Sequence, residues 1–238
     1  MKVVSVICSL LAGVALALPI CINCWTSYGL WSLAFYAAIL FALSAASLLH
    51  ELGHMLFGAM SRVKAVPELS FFASSSCKII PKTHKNLRAR MIVTSLGGLI
   101  VNLIFIVLGI VVAAVPDLPV WLGVLSPASA YLFVLNAFPV EYSGGKSDGR
   151  VVVDLLQKNN PESKVMLAVL GVQAMLLNGT DIKDIDKSLI FDLPQIREDD
   201  PSFVCLCELR YKYLEALGYN EEAEKYKRRF EDLKEEYF

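Results

Sequence analysis

The chain has 238 residues, of which 55% are hydrophobic, with a mean hydropathy of +0.53 and a formal net charge of −1. This composition is too apolar for an ordinary soluble globular protein, and the near-zero charge gives no indication of a nucleic-acid partner, so we expect none. The long apolar runs lie in roughly the first 140 residues, and charged residues dominate from about Asp148 onward. We therefore predict a mainly α fold with two parts, a membrane-embedded domain over residues 1–150 and a cytosolic helical domain over residues 151–238.

Four apolar segments are long enough to cross a bilayer as helices, because about 18 or more apolar residues in a row are typical of a spanning helix. The first has two interpretations: a retained helix, which we favour, and a cleaved signal peptide, since Ala15-Leu16-Ala17 resembles a cleavage site. Pro127 predicts a kink in the fourth. The four segments run from about Val3 to Ile22, Tyr28 to Met60, Met91 to Val115, and Leu118 to Val140.

The basic residues between these segments predict their orientation, because Lys and Arg are concentrated in cytoplasmic loops. Residues 61–90 carry seven basic residues against one acid, Glu68, whereas residues 23–29 and 116–119 carry no Lys or Arg. Lys146 and Arg150 follow the fourth segment. We expect a multi-pass protein of the lipid bilayer, most simply the cell membrane, with a cytoplasmic C-terminus.

The basic loop is not uniformly polar. Val66–Phe72 and Cys77–Ile80 are short β-prone runs separated by Ser74-Ser75-Ser76. This pattern predicts a small β-hairpin at the membrane face. A plain connecting loop is the alternative.

The C-terminal part reads as helical. Residues 150–158 and 162–177 are predicted helices, and Asn178-Gly179 is a typical stop signal. Over residues 203–238, apolar residues recur at steps of three and four on two successive segments, which predicts an αα-hairpin resembling a single tetratricopeptide unit. These residues are Leu206, Leu209 and Tyr213, then Ala223, Tyr226, Phe230, Leu233 and Tyr237.

The motif with the clearest chemistry is His50-Glu51-Leu52-Gly53-His54, an HExxH sequence at the inner end of the second apolar segment. Two histidines four residues apart lie on one face of a helix, so both imidazoles can bind one metal ion, and the adjacent glutamate can act as a general base. The chain has three histidines in all, and two of them are in this motif. Ionisable residues within an apolar segment indicate function by default.

A catalytic zinc site needs a third protein ligand and an open fourth position. After the fourth apolar segment, the candidates are Glu141 and Asp148, with His84 as a more distant alternative. Residue chemistry alone leaves this choice open.

The chain resembles the site-2 protease (M50) family of intramembrane zinc metallopeptidases, which combine a membrane HExxH with a downstream NxxP and DG element. Asn136-Ala137-Phe138-Pro139 and Asp148-Gly149 match the two parts of that element. Gly98 to Asn102 is similar to the family's GPxxN element, with Leu99 where proline is usual, and Ser143–Lys146 lengthens the stretch before Asp148. The resemblance covers about residues 28–150.

This resemblance implies an intramembrane zinc metalloendopeptidase that cleaves a transmembrane or juxtamembrane peptide bond of a membrane-protein substrate. It implies one Zn²⁺ bound by His50, His54 and Asp148, with Glu51 as the catalytic base and an active site on the cytoplasmic side. Asn136 would lie near the scissile peptide as a second catalytic residue; an interhelical hydrogen bond is the alternative. For Asn102 we favour a structural role.

Two other functions stay open: a catalytically inactive membrane scaffold or binding protein, and a metal-handling transporter. An intact Glu51 is not needed for either, and the chain shows no internal repeat of the kind common in transporters. We expect the C-terminal helical domain to be the docking place of any regulatory partner.

Overall fold

A computed structural model of the chain describes residues 29, 31–68, 76–115, 117–142 and 145–237, and these form a mainly helical protein with two small antiparallel sheets. The predicted first apolar segment lies outside the described residues. The helices are α1 (Trp31–Met60), α2 (Leu87–Ala114), α3 (Ser126–Ala137), α4 (Asp148–Leu156), α5 (Pro161–Leu177), α6 (Ser188–Phe191), α7 (Pro201–Ala216) and α8 (Asn220–Tyr237). The strands are β1 (Val63–Glu68), β2 (Ser76–Pro81), β3 (Glu141–Tyr142) and β4 (Gly145–Lys146).

Helices α1 and α2 form an antiparallel pair with a very close crossing. A Cβ atom placed on Gly53 would lie 2.5 Å from the carbonyl oxygen of Gly97, and one placed on Gly97 would lie 2.5 Å from the carbonyl oxygen of Gly53. Any larger residue at either position would force the helices apart, because real Cβ atoms do not approach a backbone oxygen so closely. Small residues at helix crossings are typical of helices that pack without a hydrophobic driving force between them.

Helix α2 is long and apolar enough to cross a membrane, as predicted, and it alone meets that test among the described residues. Its exposed surface is largely apolar, and its buried residues include polar as well as apolar side chains. Thr94, Ser95 and Asn102 are buried, whereas Ile104 and Ile110 are 58% and 62% exposed. Such a surface suits lipid, where apolar side chains face outward and polar ones need partners inside.

The second predicted apolar segment forms one helix in the structure, whereas the fourth does not. The second is one continuous helix, α1. The predicted fourth helix with an internal kink at Pro127 is wrong: a short 3-10 turn, Val120–Gly123, precedes a helix of 12 residues, α3. Pro127 lies in the first turn of α3, where a residue without an N–H is tolerated because that N–H has no partner within the helix.

Strands β1 and β2 pair in antiparallel fashion, with Val63 opposite Pro81 and Glu68 opposite Ser76. The predicted hairpin therefore exists, although it begins three residues earlier than expected. The predicted strand residues Leu69–Phe72 lie outside the described residues. Because β1 follows α1 after a single turn at Ser61-Arg62, the hairpin lies beside the end of the helix that carries the HExxH motif.

The C-terminal helices enclose their own hydrophobic core, which lies between α5, α6 and α7. Helix α5 ends at Asn178-Gly179 as predicted, with Gly179 at a φ of 86°. Helices α7 and α8 form the predicted αα-hairpin, joined at Gly218, and Leu233 packs against Val204 and Cys207. Buried members of the C-terminal core are Val165, Val169, Val172, Ile185, Ile190, Ile196, Leu206, Leu209 and Tyr213.

The junction between the two parts of the chain is packed. Helix α4 crosses the predicted boundary at residue 150, and its Leu155 is fully buried against Leu87 and Met91 of α2. The guanidinium of Arg88 donates a hydrogen bond to the carbonyl of Leu155, and the amide of Asn178 donates one of 3.1 Å to the carbonyl of Lys82. The C-terminal part of the chain is therefore attached directly to α2 and to the end of the β1–β2 hairpin, both of which lie beside α1.

Candidate metal centre

Two helices bring the predicted ligands together. His50 and His54 lie one turn apart on α1, and Asp148 is the first residue of α4. Ser147 caps α4: its hydroxyl accepts a hydrogen bond of 3.2 Å from the N–H of Arg150 and donates one of 2.5 Å to the carbonyl of Phe138. The cap ties the start of α4 to the end of α3, so the position of Asp148 depends on both helices.

The three ligand atoms form a nearly equilateral triangle. His50 Nε2 lies 3.1 Å from His54 Nε2, and Asp148 Oδ2 lies 3.2 Å and 3.3 Å from the same two nitrogens. Three donors bound to one tetrahedral ion at roughly 2.0–2.1 Å are separated by about 3.3 Å. Both histidines are buried, at 5% and 6% exposure, and the Asp148 side chain is 18% exposed. The group could therefore hold a metal ion.

Each imidazole is oriented through its other ring nitrogen. His54 Nδ1 lies 2.8 Å from the carbonyl oxygen of Thr94, which can only accept, so Nδ1 carries a proton and Nε2 presents a lone pair whenever the ring is neutral. His50 Nδ1 lies 2.9 Å from the side-chain amide of Asn102. The His50 ring also lies flat against Gly98, where a Cβ atom would come within 2.5 Å of the ring.

Gly149 lets α4 approach the end of α3. A Cβ atom at this position would lie 2.0 Å from the carbonyl oxygen of Ala137 and 3.1 Å from that of Asn136. The two halves of the Asn136–Pro139 and Asp148-Gly149 element are therefore in backbone contact. The side-chain amide of Asn136 donates a hydrogen bond of 3.0 Å to the carbonyl of Leu132.

The charge of Asp148 is favoured by its neighbours. Burial by itself would raise the pKa of this carboxyl, but the hydrogen bonding and charge attraction of the His50 and His54 imidazoles outweigh burial and lower the pKa below its ordinary value. The carboxylate is thus ionised and ready to bind a cation. The same three atoms attract a proton, so proton and metal compete for the group.

Lys146 anchors the short β3–β4 hairpin that precedes Asp148. Its ammonium lies 3.0 Å from the carboxylate of Asp154, contacts that of Glu162, and lies 4.0 Å from that of Asp200. Burial by itself would lower the pKa of Lys146, but hydrogen bonds to Glu162 and Asp154 outweigh it and raise the pKa. The apparent insertion Ser143–Lys146 is therefore held at its end by an ionic cluster of the C-terminal helices.

Glu51 follows His50 on α1 and is also buried, at 5% exposure. Its carboxylate interacts electrostatically with His54. A buried carboxylate next to two metal-ligand candidates has the position that the HExxH motif predicts for a general base.

The alternative third ligands do not join the group. Glu141 pairs with Arg150 and Arg197, at 3.4 Å from each guanidinium, and His84 is exposed. Within the described part of the chain, the cluster of candidate ligands is completed by Asp148. The geometry therefore decides between the two carboxylates in favour of Asp148.

Several contacts that shape the site were not predicted from the sequence, although Gly98 and Lys146 themselves were noted there. The hydrogen bond to the carbonyl of Thr94, the close approach at Gly98 and the ion pairs of Lys146 depend on which elements pack together, and no local pattern indicates these contacts. Ser147 is different: a serine directly before an acidic residue and an apolar run is a typical helix N-cap, so its role was readable.

Comparisons of the chain with protein-family models, curated proteins and solved structures find no match.

Proposed function

We propose that the chain is an intramembrane zinc metalloendopeptidase that cleaves a peptide bond within or beside the membrane-spanning segment of a substrate protein. The observation that carries the proposal is the triangle of His50 Nε2, His54 Nε2 and Asp148 Oδ2, with sides of 3.1–3.3 Å. Two imidazoles and one carboxylate are the ligand set of catalytic zinc sites that keep a fourth position open for substrate or water.

The surroundings of the triangle support a membrane setting. Its two histidines pack against α2, whose outer surface is apolar and exposed, and α1 itself exposes Leu56 and Met60 by 58% and 73% near the motif. We propose that α1, α2 and α3 lie in the bilayer with the site facing the cytoplasm, as the basic loops indicate. A site at this depth reaches peptide bonds near the inner end of a substrate helix.

Zinc, when bound, lowers the pKa of water to roughly 7 and polarises a carbonyl group. His50, His54 and Asp148 would hold the ion, and burial of the imidazoles keeps bulk water away from them. Glu51 removes the proton from the attacking water and then delivers it to the leaving amine. Asn136, whose amide has a second N–H beside the one bonded to Leu132, stabilises the negative charge that develops on the peptide oxygen.

A helical substrate hides its peptide carbonyls, so it must become extended before cleavage. The β1–β2 hairpin next to the end of α1 is the natural place for an extended segment to add as a further strand. This part of the proposal concerns substrate binding and is independent of the metal chemistry.

The test is a zinc count on the detergent-purified full chain, for the parent, Asp148→Ala and Glu51→Gln, combined with a cleavage assay on membrane-protein substrates. We expect about one zinc per parent chain, a large loss in Asp148→Ala, and retained zinc without hydrolysis in Glu51→Gln. The last variant removes the base while keeping the ligands.

The outcomes separate the proposal from its rivals. A metal-replete parent without zinc would leave no basis for a peptidase and would favour a membrane scaffold. Zinc binding without hydrolysis by the parent, under conditions where substrates are presented in a bilayer, would favour a metal-handling role.

A further inference from the structure

Asn102 is a buried polar residue that the mechanism above does not use. It lies in the middle of α2, is fully buried, and faces His50 across the helix crossing. Its Nδ2 lies 2.9 Å from His50 Nδ1, while its Oδ1 has no hydrogen-bond partner within the described part of the chain. A fully buried amide oxygen without a partner calls for an explanation.

The pairing of these two nitrogens has a consequence for His50. If the amide donates to Nδ1, the neutral ring carries its proton on Nε2. Nε2 is the atom that faces His54 and Asp148 at 3.1 Å and 3.2 Å. A protonated Nε2 has no lone pair for a metal ion, so this pairing and ligation by His50 exclude each other.

A half-turn of the amide about the Cβ–Cγ bond exchanges Oδ1 and Nδ2 and leaves every other atom in place. Oδ1 then accepts a hydrogen bond from His50 Nδ1–H and is no longer unpaired, and Nε2 is free to bind. We propose that Asn102 is the positioning residue that holds His50 in its metal-binding tautomer by this hydrogen bond. The inference deepens the zinc site proposed above and rests on it.

The two histidines then have equivalent partners from different sources. His54 Nδ1 is held by the backbone carbonyl of Thr94, at 2.8 Å, and no substitution can remove that acceptor. The His50 ring lies against the backbone of Gly98, and its Nδ1 faces the side chain of Asn102 one turn further along α2. Asn102, four residues after Gly98, is on the same face of that helix.

The test compares the zinc affinity of the full-length protein in detergent, by chelator competition, for the parent, Asn102→Asp and Asn102→Leu. Asparagine, aspartate and leucine have similar shapes, but only the first two offer an acceptor oxygen. We expect Asn102→Asp to bind zinc at least as tightly as the parent and Asn102→Leu to lose about 10–100-fold, as is usual when the outer partner of a metal-bound histidine is removed. Ser129→Ala removes another fully buried polar group and is the matched control, with unchanged affinity expected.

Nitrogen NMR of the metal-free protein carrying isotope-labelled histidine reads the tautomer directly. The chain has three histidines, and His84 is exposed, so assignment needs few variants. At a pH where the imidazoles are neutral, His50 should carry its proton on Nδ1 in the parent and in Asn102→Asp, and become a mixture of tautomers in Asn102→Leu. His54 should stay protonated on Nδ1 in every variant and serves as the internal control.

Two results would overturn the inference: a parent His50 protonated on Nε2, or equal zinc affinities for Asn102→Asp and Asn102→Leu. The second would mean that Asn102 acts by packing alone. Neither readout depends on proteolysis, so a parent that binds zinc through the correct tautomer but cleaves nothing would reject the proposed peptidase activity and keep this inference.

Discussion

Replacing Gly149 with alanine tests whether the packing of α4 on α3 sets the position of Asp148, the proposed third metal ligand. The added Cβ atom would lie 2.0 Å from the carbonyl oxygen and 2.6 Å from the carbonyl carbon of Ala137. Both are backbone atoms, so no side-chain rotation can relieve the contact. The start of α4, with Asp148 as the preceding residue, has to move away from the end of α3.

The size of this movement follows from the contact distance. Ordinary carbon–oxygen contacts begin at about 3.3 Å, so the separation must grow by about 1.3 Å. Metal-ligand distances tolerate changes of only about 0.2 Å. Asp148 Oδ2, now 3.2 Å and 3.3 Å from the two Nε2 atoms, would therefore leave the triangle. We expect zinc affinity to fall by at least 10–100-fold, roughly the cost of losing a supporting partner, and hydrolysis to fall by about 100-fold.

The matched control is Gly171→Ala in the middle of α5. A Cβ atom there meets no described atom within 4 Å. The same chemical change should therefore stabilise the protein by about 0.5–1 kcal/mol, because alanine favours a helix interior more than glycine does. Zinc affinity should not change.

The assay is chelator competition for zinc at 25 °C, together with thermal unfolding of both variants in the same detergent. Overpacking at Gly149 should lower stability by about 1–3 kcal/mol, which leaves folded protein for the binding measurement. Parent-like zinc affinity in a destabilised Gly149→Ala protein would refute the reasoning, because it would show that the strain is not transmitted to Asp148.

Two further predictions concern the surroundings of the triangle. Gly98→Ala places a Cβ atom 2.5 Å from the His50 ring. This variant should weaken zinc binding by about 10-fold or more, while circular dichroism should show unchanged helical content. Unchanged zinc binding would contradict the close contact. Lys146→Met removes one of the two cations that pair with the buried Asp154, the other being Arg150. It should cost about 1–2 kcal/mol in urea unfolding, against less than about 0.5 kcal/mol for Lys212→Met, which breaks an exposed pair. Because the folded-state pKa of Lys146 is raised above its ordinary value of 10.5, the difference between parent and Lys146→Met should be complete below that pH and disappear as the pH rises beyond it. A difference that instead persisted at high pH would assign the loss to packing rather than to charge.

Local patterns in the sequence predicted most of the helical elements. Apolar steps of three and four placed α7 and α8, and Asn178-Gly179 marked the end of α5, because helix periodicity and stop signals are properties of neighbouring residues. The kink at Pro127 was predicted wrongly because local patterns did not show where α3 begins. The chain's hydropathy continues through Val120–Gly123, and a proline at the start of a helix looks the same in sequence as one inside it.

Among the metal-ligand candidates, too, local sequence places some residues and leaves the position of others open. The i, i+4 spacing of His50 and His54 determines that both lie on one face of α1, so the sequence by itself determined this pair and the placement of Glu51 beside it. The sequence left Glu141 and Asp148 as alternatives, because nothing local says which of two carboxylates seven residues apart will reach a helix nearly a hundred residues earlier.

Only the tertiary structure decided that question. Gly149 allows α4 to touch the backbone of Ala137, the Ser147 cap fixes the direction of its first turn, and Glu141 is drawn instead to Arg150 and Arg197. Likewise, the partners of the two imidazoles come from α2, through a crossing that a pair of glycines permits. Long-range contacts of this kind depend on the sum of many packing interactions across the fold. The spacing of the histidine pair, in contrast, is a property of five consecutive residues.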